Sequence, residues 1–490
     1  MKDSRKLRSS FLWLMILFFA AEVAGQDRKS LKYGRTITAE DLWARLSVLA
    51  HDSLGGRETG ERGQMIAAQY IADKFKSYGL MPPVELGGEM SYFQQLPLKQ
   101  SSWSNLYLRK EAQKTDNLDG FIYFSQAETK GEEYMEAVYI GEGNRLKDLN
   151  IDGKFVVASN NLLSEQIMEQ AKNLGAAGVI SVMEDNSEFN SLKGRMGRFF
   201  RPRLRFDFEE SSDRLLILNS DKAGWLFGKS TASLQVGDET DFILNADKLI
   251  LPKESMNVLG FLEGSEKPDE VLIITAHYDH IGIIGDQINN GADDDGSGTS
   301  SVLEIAEAFT TAAKKGKRPA RSILFMTVAG EEKGLLGSRY YTDVNPIFPL
   351  ENTVANLNID MVGRVDDAHL DDPNYIYLIG SDKLSSELHN LSEKVNEAFV
   401  GLELDYKYND ENDPNRFYYR SDHYNFAKND IPVIFYFNGT HADYHQPTDT
   451  IDKINFEQME KRARLVFYTG WEIANREKRI VLDEEQIKVE

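Results

Sequence analysis

The chain has 490 residues, no cysteine, and 78 acidic against 56 basic side chains, for a formal net charge of −22. The lack of cysteine excludes disulfide scaffolds, thiol nucleophiles and cysteine-bound metal clusters, so any bound metal must use His, Asp and Glu. The excess of acidic residues argues against nucleic acid as a partner, because phosphate binding needs clustered Lys and Arg.

The first 25 residues have the pattern of an export signal. Basic residues precede an apolar run over residues 11–21, and small residues follow up to Gly25. This order predicts a signal peptide over residues 1–25, with a candidate cleavage site after Gly25. An uncleaved anchor is the alternative, but the apolar run is short for a membrane span. We therefore expect an exported protein, periplasmic or extracellular, without stable membrane insertion.

The main domain is predicted to begin with residues 26–118. Within them, residues 38–81 carry apolar side chains at helical spacing, and Gly79 followed by a Pro-Pro pair predicts the end of the helical region. A different pattern occupies residues 119–248, which we interpret as an inserted smaller α/β domain. Its predicted strands are residues 154–158 and 178–182, and its predicted helix is residues 163–174.

Residues 249–478 alternate clearly between strands and helices. The strands are near-continuous apolar runs, which is the pattern of strands that are covered on both faces. We therefore predict an α/β fold with a mixed, mostly parallel sheet sandwiched by helices, and residues 479–490 are left as a C-terminal tail. The predicted strands are residues 271–276, 322–328, 355–359 and 433–437.

Charged side chains follow each of these four strands. In open α/β sheets, functional sites form beyond the carboxyl ends of the strands, and clustered carboxylates there are unfavourable unless a cation neutralises them. Because imidazoles accompany the carboxylates, zinc is the favoured ion, and the number of donors suits two ions better than one. The residues are His277 and Asp279, then Asp293, Asp294 and Asp295, then Glu331 and Glu332, then Asp360, and finally Tyr444 and His445.

Each of these residues also has an ordinary structural explanation. The three aspartates could cap a helix, the paired glutamates could be solvated, and a Tyr-His pair could pack within a loop. One metal site explains all of these residues together. The separate explanations would leave several carboxylates repelling one another at a single sheet edge.

The ordered motifs resemble the di-zinc aminopeptidase family, which includes secreted bacterial leucyl aminopeptidases and glutamate carboxypeptidase II. The resemblance runs from about residue 38 to residue 470 and implies a zinc exopeptidase fold. The insert resembles a protease-associated domain through residues 152–157 and 171–180. The main motifs are His-x-Asp at 277–279, Gly-x-x-Asp at 291–294, Glu-Glu-x-Gly-Leu-Leu-Gly-Ser at 331–338, Asn-x-Asp at 358–360, and Tyr-His before Thr-Asp-Thr at 444–450.

The resemblance implies two zinc ions per chain, held by five ligands. Asp294 is the expected bridge between the ions, and Asp293 is the alternative within the triplet. His277 and Asp360 would complete one site, and Glu332 and His445 the other.

Three further roles follow from the same resemblance. Glu331 is expected to act as the general base for a metal-bridged water, and Asp279 is expected to orient the imidazole of His277. Tyr444 is expected either to donate a hydrogen bond to the reaction's oxyanion or to pack beside His445. His280 and His441 fall outside the matched ligand positions.

The function expected from this site is a secreted or periplasmic zinc exopeptidase that removes N-terminal residues from peptides. Three alternatives remain open: a carboxypeptidase or dipeptidase on the same site, a glutaminyl cyclase, and a non-catalytic receptor or binding protein on the same scaffold. The residue preference, the metal used in vivo, the role of the insert and the oligomeric state are not readable from the sequence.

Overall fold

The structure is a computed structural model, and it describes residues 28–142, 146–159 and 165–483. The predicted signal peptide over residues 1–25 lies outside the described residues. Contacts divide the chain into two compact units. Among the described residues, the first comprises those up to Leu96 and those from Glu254 onwards, and the second comprises those within Pro97–Lys253.

The helices belong to both units, and residues 28–34 are also helical. We number the later helices in chain order. They are α1 (Ala39–Leu49), α2 (Arg62–Tyr78), α3 (Glu165–Asn173), α4 (Asn186–Arg195), α5 (Ser220–Phe227), α6 (Gly298–Lys314), α7 (Leu336–Arg339), α8 (Ser386–Phe399), α9 (His423–Ala427) and α10 (Phe456–Asn475).

The strands are numbered in the same way. They are β1 (Val84–Leu86), β2 (Glu89–Ser91), β3 (Phe93–Lys110), β4 (Gln113–Asp116), β5 (Phe121–Tyr123), β6 (Glu132–Gly141), β7 (Phe155–Ser159), β8 (Gly178–Met183), β9 (Arg203–Phe206), β10 (Leu215–Asn219), β11 (Glu239–Leu262), β12 (Lys267–His277), β13 (Ile283–Ile284), β14 (Gln287–Ile288), β15 (Arg321–Val328), β16 (Thr353–Ile359), β17 (Tyr375–Ile379), β18 (Glu403–Asp405) and β19 (Val433–Phe437).

The first unit contains a mostly parallel sheet with strand order β18-β17-β19-β16-β12-β15-β11. The pairs β12–β15, β12–β16, β16–β19 and β17–β18 are parallel, whereas β17–β19 and β11–β15 are antiparallel. Strands β15, β16 and β19 are buried along their whole length. The predicted α/β class and the four predicted strands are therefore confirmed. Strand β17 is an additional apolar strand that the sequence analysis did not assign.

The predicted helical region over residues 38–81 is interrupted in the structure. Helix α1 begins at an N-cap, where the Thr38 hydroxyl accepts a hydrogen bond from the Asp41 N–H at 3.2 Å. Between α1 and α2, Gly55 and Gly56 adopt φ values of 52° and 68°, which a helix does not allow. This break brings Arg57 into the interior, where only 1% of its surface is exposed.

The second unit has its own sheet and core. Strands β6, β7, β8 and β10 are parallel neighbours, β5 is antiparallel to β10, and residues 239–245 of β11 are antiparallel to β6. Strands β4 and β9 both pair with β3. The unit extends over Pro97–Lys253 because β3 and β4 belong to it, whereas the sequence analysis set the insert at residues 119–248.

Candidate metal centre

The parallel strands of the first unit bring the predicted residues to one edge of the sheet. Strand β12 ends at His277, which lies opposite Val328 at the end of β15. Strands β16 and β19 lie in parallel register on the other side of β12. Because the carboxyl ends of parallel strands meet at the same edge, the loops that carry Glu331, Asp360 and His445 converge on His277.

An irregular turn over Ala292–Ser297 supplies the central carboxylate. It begins at Gly291, whose φ is 55°, and a side chain there would place Cβ 2.1 Å from the Asp294 carbonyl oxygen. The buried Arg57 guanidinium donates to the carbonyl oxygens of Asn290 at 2.7 Å and Gly291 at 3.0 Å. Glycine and a buried arginine therefore fix the start of the turn.

The three aspartates of this turn have different partners. The Asp293 carboxylate accepts hydrogen bonds from the Gly363 N–H at 2.7 Å and the Ser297 hydroxyl at 3.0 Å. The Asp295 carboxylate accepts from three backbone N–H groups at 2.9–3.1 Å. Of the three, Asp294 is the one whose carboxylate lies near the imidazoles of His277, His280 and His445, which favours it over Asp293 as the bridging residue.

Two clusters of metal-ligating side chains share Asp294. In the first cluster, Nε2 of His277 lies 3.2 Å from Oδ1 of Asp294 and 3.6 Å from Oδ1 of Asp360. These three buried residues place one donor atom each within 4.8 Å of one another. The second carboxylate oxygen of Asp360 accepts a hydrogen bond from the Ser421 hydroxyl at 2.6 Å, which fixes its orientation.

The second cluster forms on the other oxygen of Asp294. Nε2 of His445 lies 3.0 Å from Oδ2 of Asp294 and 3.3 Å from Oε1 of Glu332. The sequence analysis left His280 out of this set, but its Nδ1 lies 2.8 Å from Oε1 of Glu332. The signal that could have identified it is the spacing His-x-Asp-His, which places a second imidazole directly after the same strand.

Four buried polar atoms around the second cluster have no hydrogen-bond partner among the described residues. Oδ2 of Asp294, Oε1 of Glu332 and both ring nitrogens of His280 are buried and unpartnered within the described residues. Buried polar atoms without partners are costly, whereas carboxylate oxygens and imidazole nitrogens are ligands that zinc prefers. The residues present therefore fit a divalent cation at this position.

The charged groups of the site also favour a bound cation. Burial, together with the nearby carboxylates of Glu332 and Asp360, raises the pKa of Glu331 well above its ordinary value. Burial alone would lower the pKa of His445, but the carboxylates of Asp294 and Glu332 raise it to about 10. The site thus carries an excess of negative charge that attracts protons or a metal cation.

Glu331 lies beside the clusters without joining either metal-ligating group. Its Oε2 is 3.9 Å from Nε2 of His277, and its backbone N–H donates to Oδ1 of Asp279 at 3.2 Å. The Thr59 hydroxyl donates to the other oxygen of Asp279 at 2.6 Å. A carboxylate held next to a metal site, but not in it, suits a general base.

The predicted contact between Asp279 and His277 takes a different form. Nδ1 of His277 lies 3.1 Å from the backbone carbonyl oxygen of Asp279, whereas the nearest carboxylate oxygen of Asp279 is 3.8 Å away. The carbonyl group is therefore the hydrogen-bond partner of the imidazole. The carboxylate instead orients the backbone of Glu331, so the role predicted for Asp279 stays a prediction.

Tyr444 lies at the boundary between the second cluster and a pocket. Its ring stacks on His445 with centroids 3.9 Å apart, and its hydroxyl accepts a hydrogen bond from Arg420 at 3.4 Å. Both roles predicted for Tyr444 are compatible with this position. The pocket is lined by Met361, Phe417, Phe435 and Phe437 together with Arg420 and the cluster members Asp294, Asp360 and His445.

Two other histidines, His423 and His441, belong to neither cluster. His423 is fully buried, and its ring stacks on Phe435 with centroids 4.7 Å apart. Its burial lowers its pKa to about 3, so it stays neutral at physiological pH. Nε2 of His441 lies 3.1 Å from Oδ2 of Asp293, so His441 contacts the turn over Ala292–Ser297 through the first of its three aspartates.

Comparison with known proteins identifies the part of the chain that carries the site. Residues 257–470 match the model of Peptidase family M28, and all members of both clusters fall within this range. These residues are therefore similar to peptidase family M28. The match supports the predicted di-zinc aminopeptidase family over residues 257–470, whereas the resemblance of the insert to a protease-associated domain stays a prediction.

Curated relatives cover parts of the chain. A "Probable zinc metalloprotease" of Pyricularia oryzae is 35% identical over 123 residues, which are 24% of this chain and 23% of that protein. Aminopeptidase YwaD of Bacillus subtilis is 27% identical over 250 residues, which are 49% of this chain and 50% of that protein. The matched region thus spans half or less of the length of these relatives.

A solved structure resembles the chain over almost its full length. The aminopeptidase from Aneurinibacillus sp. strain AM-1 has a TM-score of 0.52 and 19% sequence identity, and the match covers 93% of this chain and 98% of that chain. This similarity supports the α/β peptidase fold that the sequence predicts. Within the described residues, the structure contains no helix that is both long and apolar enough to cross a membrane.

Proposed function

We propose that this protein is an exported zinc-dependent aminopeptidase that hydrolyses the N-terminal residue from peptides. The observation that carries this proposal is the position of Asp294, whose two oxygens face different clusters of imidazole and carboxylate donors. One carboxylate between two such clusters suits a pair of ions. The M28 match and the names of the relatives agree with this chemistry.

Five ligands would hold the two zinc ions. His277, Asp294 and Asp360 would hold the first, and Asp294, Glu332 and His445 would hold the second. When bound, such ions polarise the scissile carbonyl group and make water more acidic at neutral pH.

Glu331 would remove a proton from the attacking water and return it to the departing amine. Burial and neighbouring carboxylates raise its pKa, which moves a carboxylate toward the range where it exchanges protons near neutral pH. The Glu331 backbone N–H donates a hydrogen bond to the Asp279 carboxylate. This bond holds Glu331 next to His277 without requiring contact with a metal ion.

The pocket beside the clusters would bind the side chain of the N-terminal residue. Its wall is formed by Met361, Phe417, Phe435 and Phe437, and apolar pockets favour apolar side chains by the area that they remove from water. We therefore expect peptides with large apolar N-terminal residues to be preferred over those with Gly or Ala.

A dipeptidase is the second candidate, and Arg420 favours it. The Arg420 guanidinium lines the same pocket, lies over the Phe417 ring at 5.0 Å and forms no ion pair within the described part of the chain. A guanidinium without a carboxylate partner is suited to bind the free C-terminal carboxylate of a short substrate. Dipeptides with a free and an amidated C-terminus would separate the two candidates.

The exported location and the second unit complete the proposal. The sequence pattern of residues 1–25 supports export, and the insert would act as a surface that shapes access of peptide substrates. No part of the proposed function involves nucleic acid.

The decisive experiment combines peptide digestion with two adjacent substitutions. Mass spectrometry of peptides incubated with the zinc-loaded protein identifies the attacked end and the preferred residue. We expect Glu331→Gln to lower the hydrolysis rate of leucyl-p-nitroanilide by about 10²–10⁴-fold while zinc content is retained. The matched variant Glu332→Gln is expected to lose zinc as well. A Glu331→Gln protein that hydrolyses at the wild-type rate would contradict the mechanism.

A further inference from the structure

The two clusters differ in the number of side chains that can reach a metal ion. The first cluster has three donors, from His277, Asp294 and Asp360. Around the second position, Oδ2 of Asp294 and Oε1 of Glu332 face two imidazoles. Nε2 of His445 lies 3.3 Å from Oε1 of Glu332, and Nδ1 of His280 lies 2.8 Å from that oxygen.

His280 also approaches the shared carboxylate. Its Nδ1 lies 3.7 Å from Oδ2 of Asp294, the oxygen that His445 approaches to 3.0 Å. The rings of His280 and His445 stand 5.7 Å apart at an angle of 68°, so they approach these oxygens from different directions.

His280 has no other function that the structure shows for its ring. The residue is fully buried, and neither ring nitrogen has a hydrogen-bond partner among the described residues, although Nδ1 is close to a carboxylate. A short distance without hydrogen-bond geometry is the arrangement expected of two ligands that point at a common ion. The backbone turn also leaves space for this ring, since a side chain at Gly291 would come within 2.6 Å of it.

We propose that His280 binds the second metal ion through Nδ1 as a fourth protein ligand, so that the two ions are held with different affinities. Four protein ligands close a zinc site, whereas three leave a position open. The second ion is therefore the tightly held one, and the ion at His277, Asp294 and Asp360 is the one that exchanges first. This inference rests on the two-ion site of the proposed function.

Zinc titration of the full-length protein against a competing chelator tests the inference. We expect the wild-type protein to bind two ions with dissociation constants that differ by at least about tenfold. His280→Phe keeps a ring in the buried space, and we expect it to weaken the tighter ion by about 10–100-fold and to narrow the difference. The control is His423→Phe, because His423 is equally buried and forms no ion pair among the described residues.

The outcomes separate this inference from the proposed function. A wild-type protein that binds no zinc would overturn both. Two ions bound with unchanged affinity by His280→Phe would overturn the role of His280 alone. A crystal structure of the zinc-loaded wild-type protein gives an answer that does not depend on the folding of a variant. Nδ1 of His280 at about 2.0–2.1 Å from zinc supports the inference, and Nδ1 bonded to neither ion overturns it.

Discussion

Tyr444 shows how one side chain can combine packing with chemistry. Its ring covers His445, while its hydroxyl stands at the edge of the pocket and accepts a hydrogen bond from Arg420. Burial and the carboxylates of Asp294 and Glu332 raise its pKa, so the hydroxyl keeps its proton. A protonated hydroxyl beside the clusters is able to donate to an oxyanion that forms during hydrolysis.

We expect Tyr444→Phe to lower kcat by about 10²-fold, because a single oxyanion donor has an effect of that size. The ring that stacks on His445 is kept, so zinc affinity and KM are expected to stay near the wild-type values. Steady-state kinetics and metal analysis of the same preparation measure both effects. Tyr419→Phe is a suitable control, since Tyr419 is 45% exposed. An unchanged kcat would leave packing as the role of Tyr444.

At the level of elements, the turn over Ala292–Ser297 is held in place by the loop that follows β19. Both oxygens of the buried Asp449 accept hydrogen bonds from the Asp293 N–H at 3.0 and 3.2 Å, and one accepts from the Asp294 N–H at 3.2 Å. The Asp449 backbone carbonyl accepts from the Ala292 N–H at 3.2 Å. The Thr-Asp-Thr motif therefore orients the turn that carries the shared carboxylate, through hydrogen bonds to backbone N–H groups of that turn.

We expect Asp449→Ala to reduce zinc affinity and to destabilise the protein by about 1–3 kcal/mol for each buried N–H that loses its acceptor. Asp449→Asn keeps one acceptor oxygen and is expected to have a smaller effect. Chelator competition and chemical denaturation measure the two quantities. Asp452→Asn changes an exposed residue of the same loop and serves as the control. Equal zinc affinity in Asp449→Ala and the wild type would contradict this role.

At the scale of the whole molecule, buried carboxyl groups are concentrated around the two clusters, where their negative charges would repel one another. Asp279, Asp295, Glu331 and Asp422 all have a pKa raised by burial. A bound cation relieves this repulsion in the folded state and has no equivalent site in the unfolded chain. Metal binding is therefore expected to stabilise the first unit.

We expect removal of metal with EDTA to lower the midpoint of thermal unfolding by several degrees, and added zinc to restore it. At a free zinc concentration 1,000 times the dissociation constant, one site contributes about 4 kcal/mol. Differential scanning calorimetry of the full chain measures the shift. Magnesium prefers octahedral oxygen ligands and is expected to restore little of it. Equal midpoints of thermal unfolding with and without zinc would show that neither cluster holds a stabilising ion.

The hydrophobic pattern explains why much of the fold could be predicted. Strands that are buried on both faces must be continuous apolar runs, and the four predicted strands appear as β12, β15, β16 and β19. Strand β17 has the same composition but follows a long polar loop, and nothing local tells which neighbour it pairs with. The break between α1 and α2 was missed because the turn there depends on two glycines and on the distant carbonyl groups that Arg57 binds.

By itself, the sequence determined the sheet, its functional edge and the residue types available there, because strand periodicity and the order of charged motifs are local properties of a chain. It also carried the resemblance to the di-zinc aminopeptidase family. Only the tertiary structure decided which carboxylate of the triplet faces the imidazoles, and that His280 stands beside Glu332. It also placed Nδ1 of His277 closer to the Asp279 carbonyl oxygen than to the Asp279 carboxylate. Those choices depend on distances of a few ångströms between segments that are far apart in sequence. Backbone turns and buried hydrogen-bond partners set these distances, and no local sequence pattern predicts them.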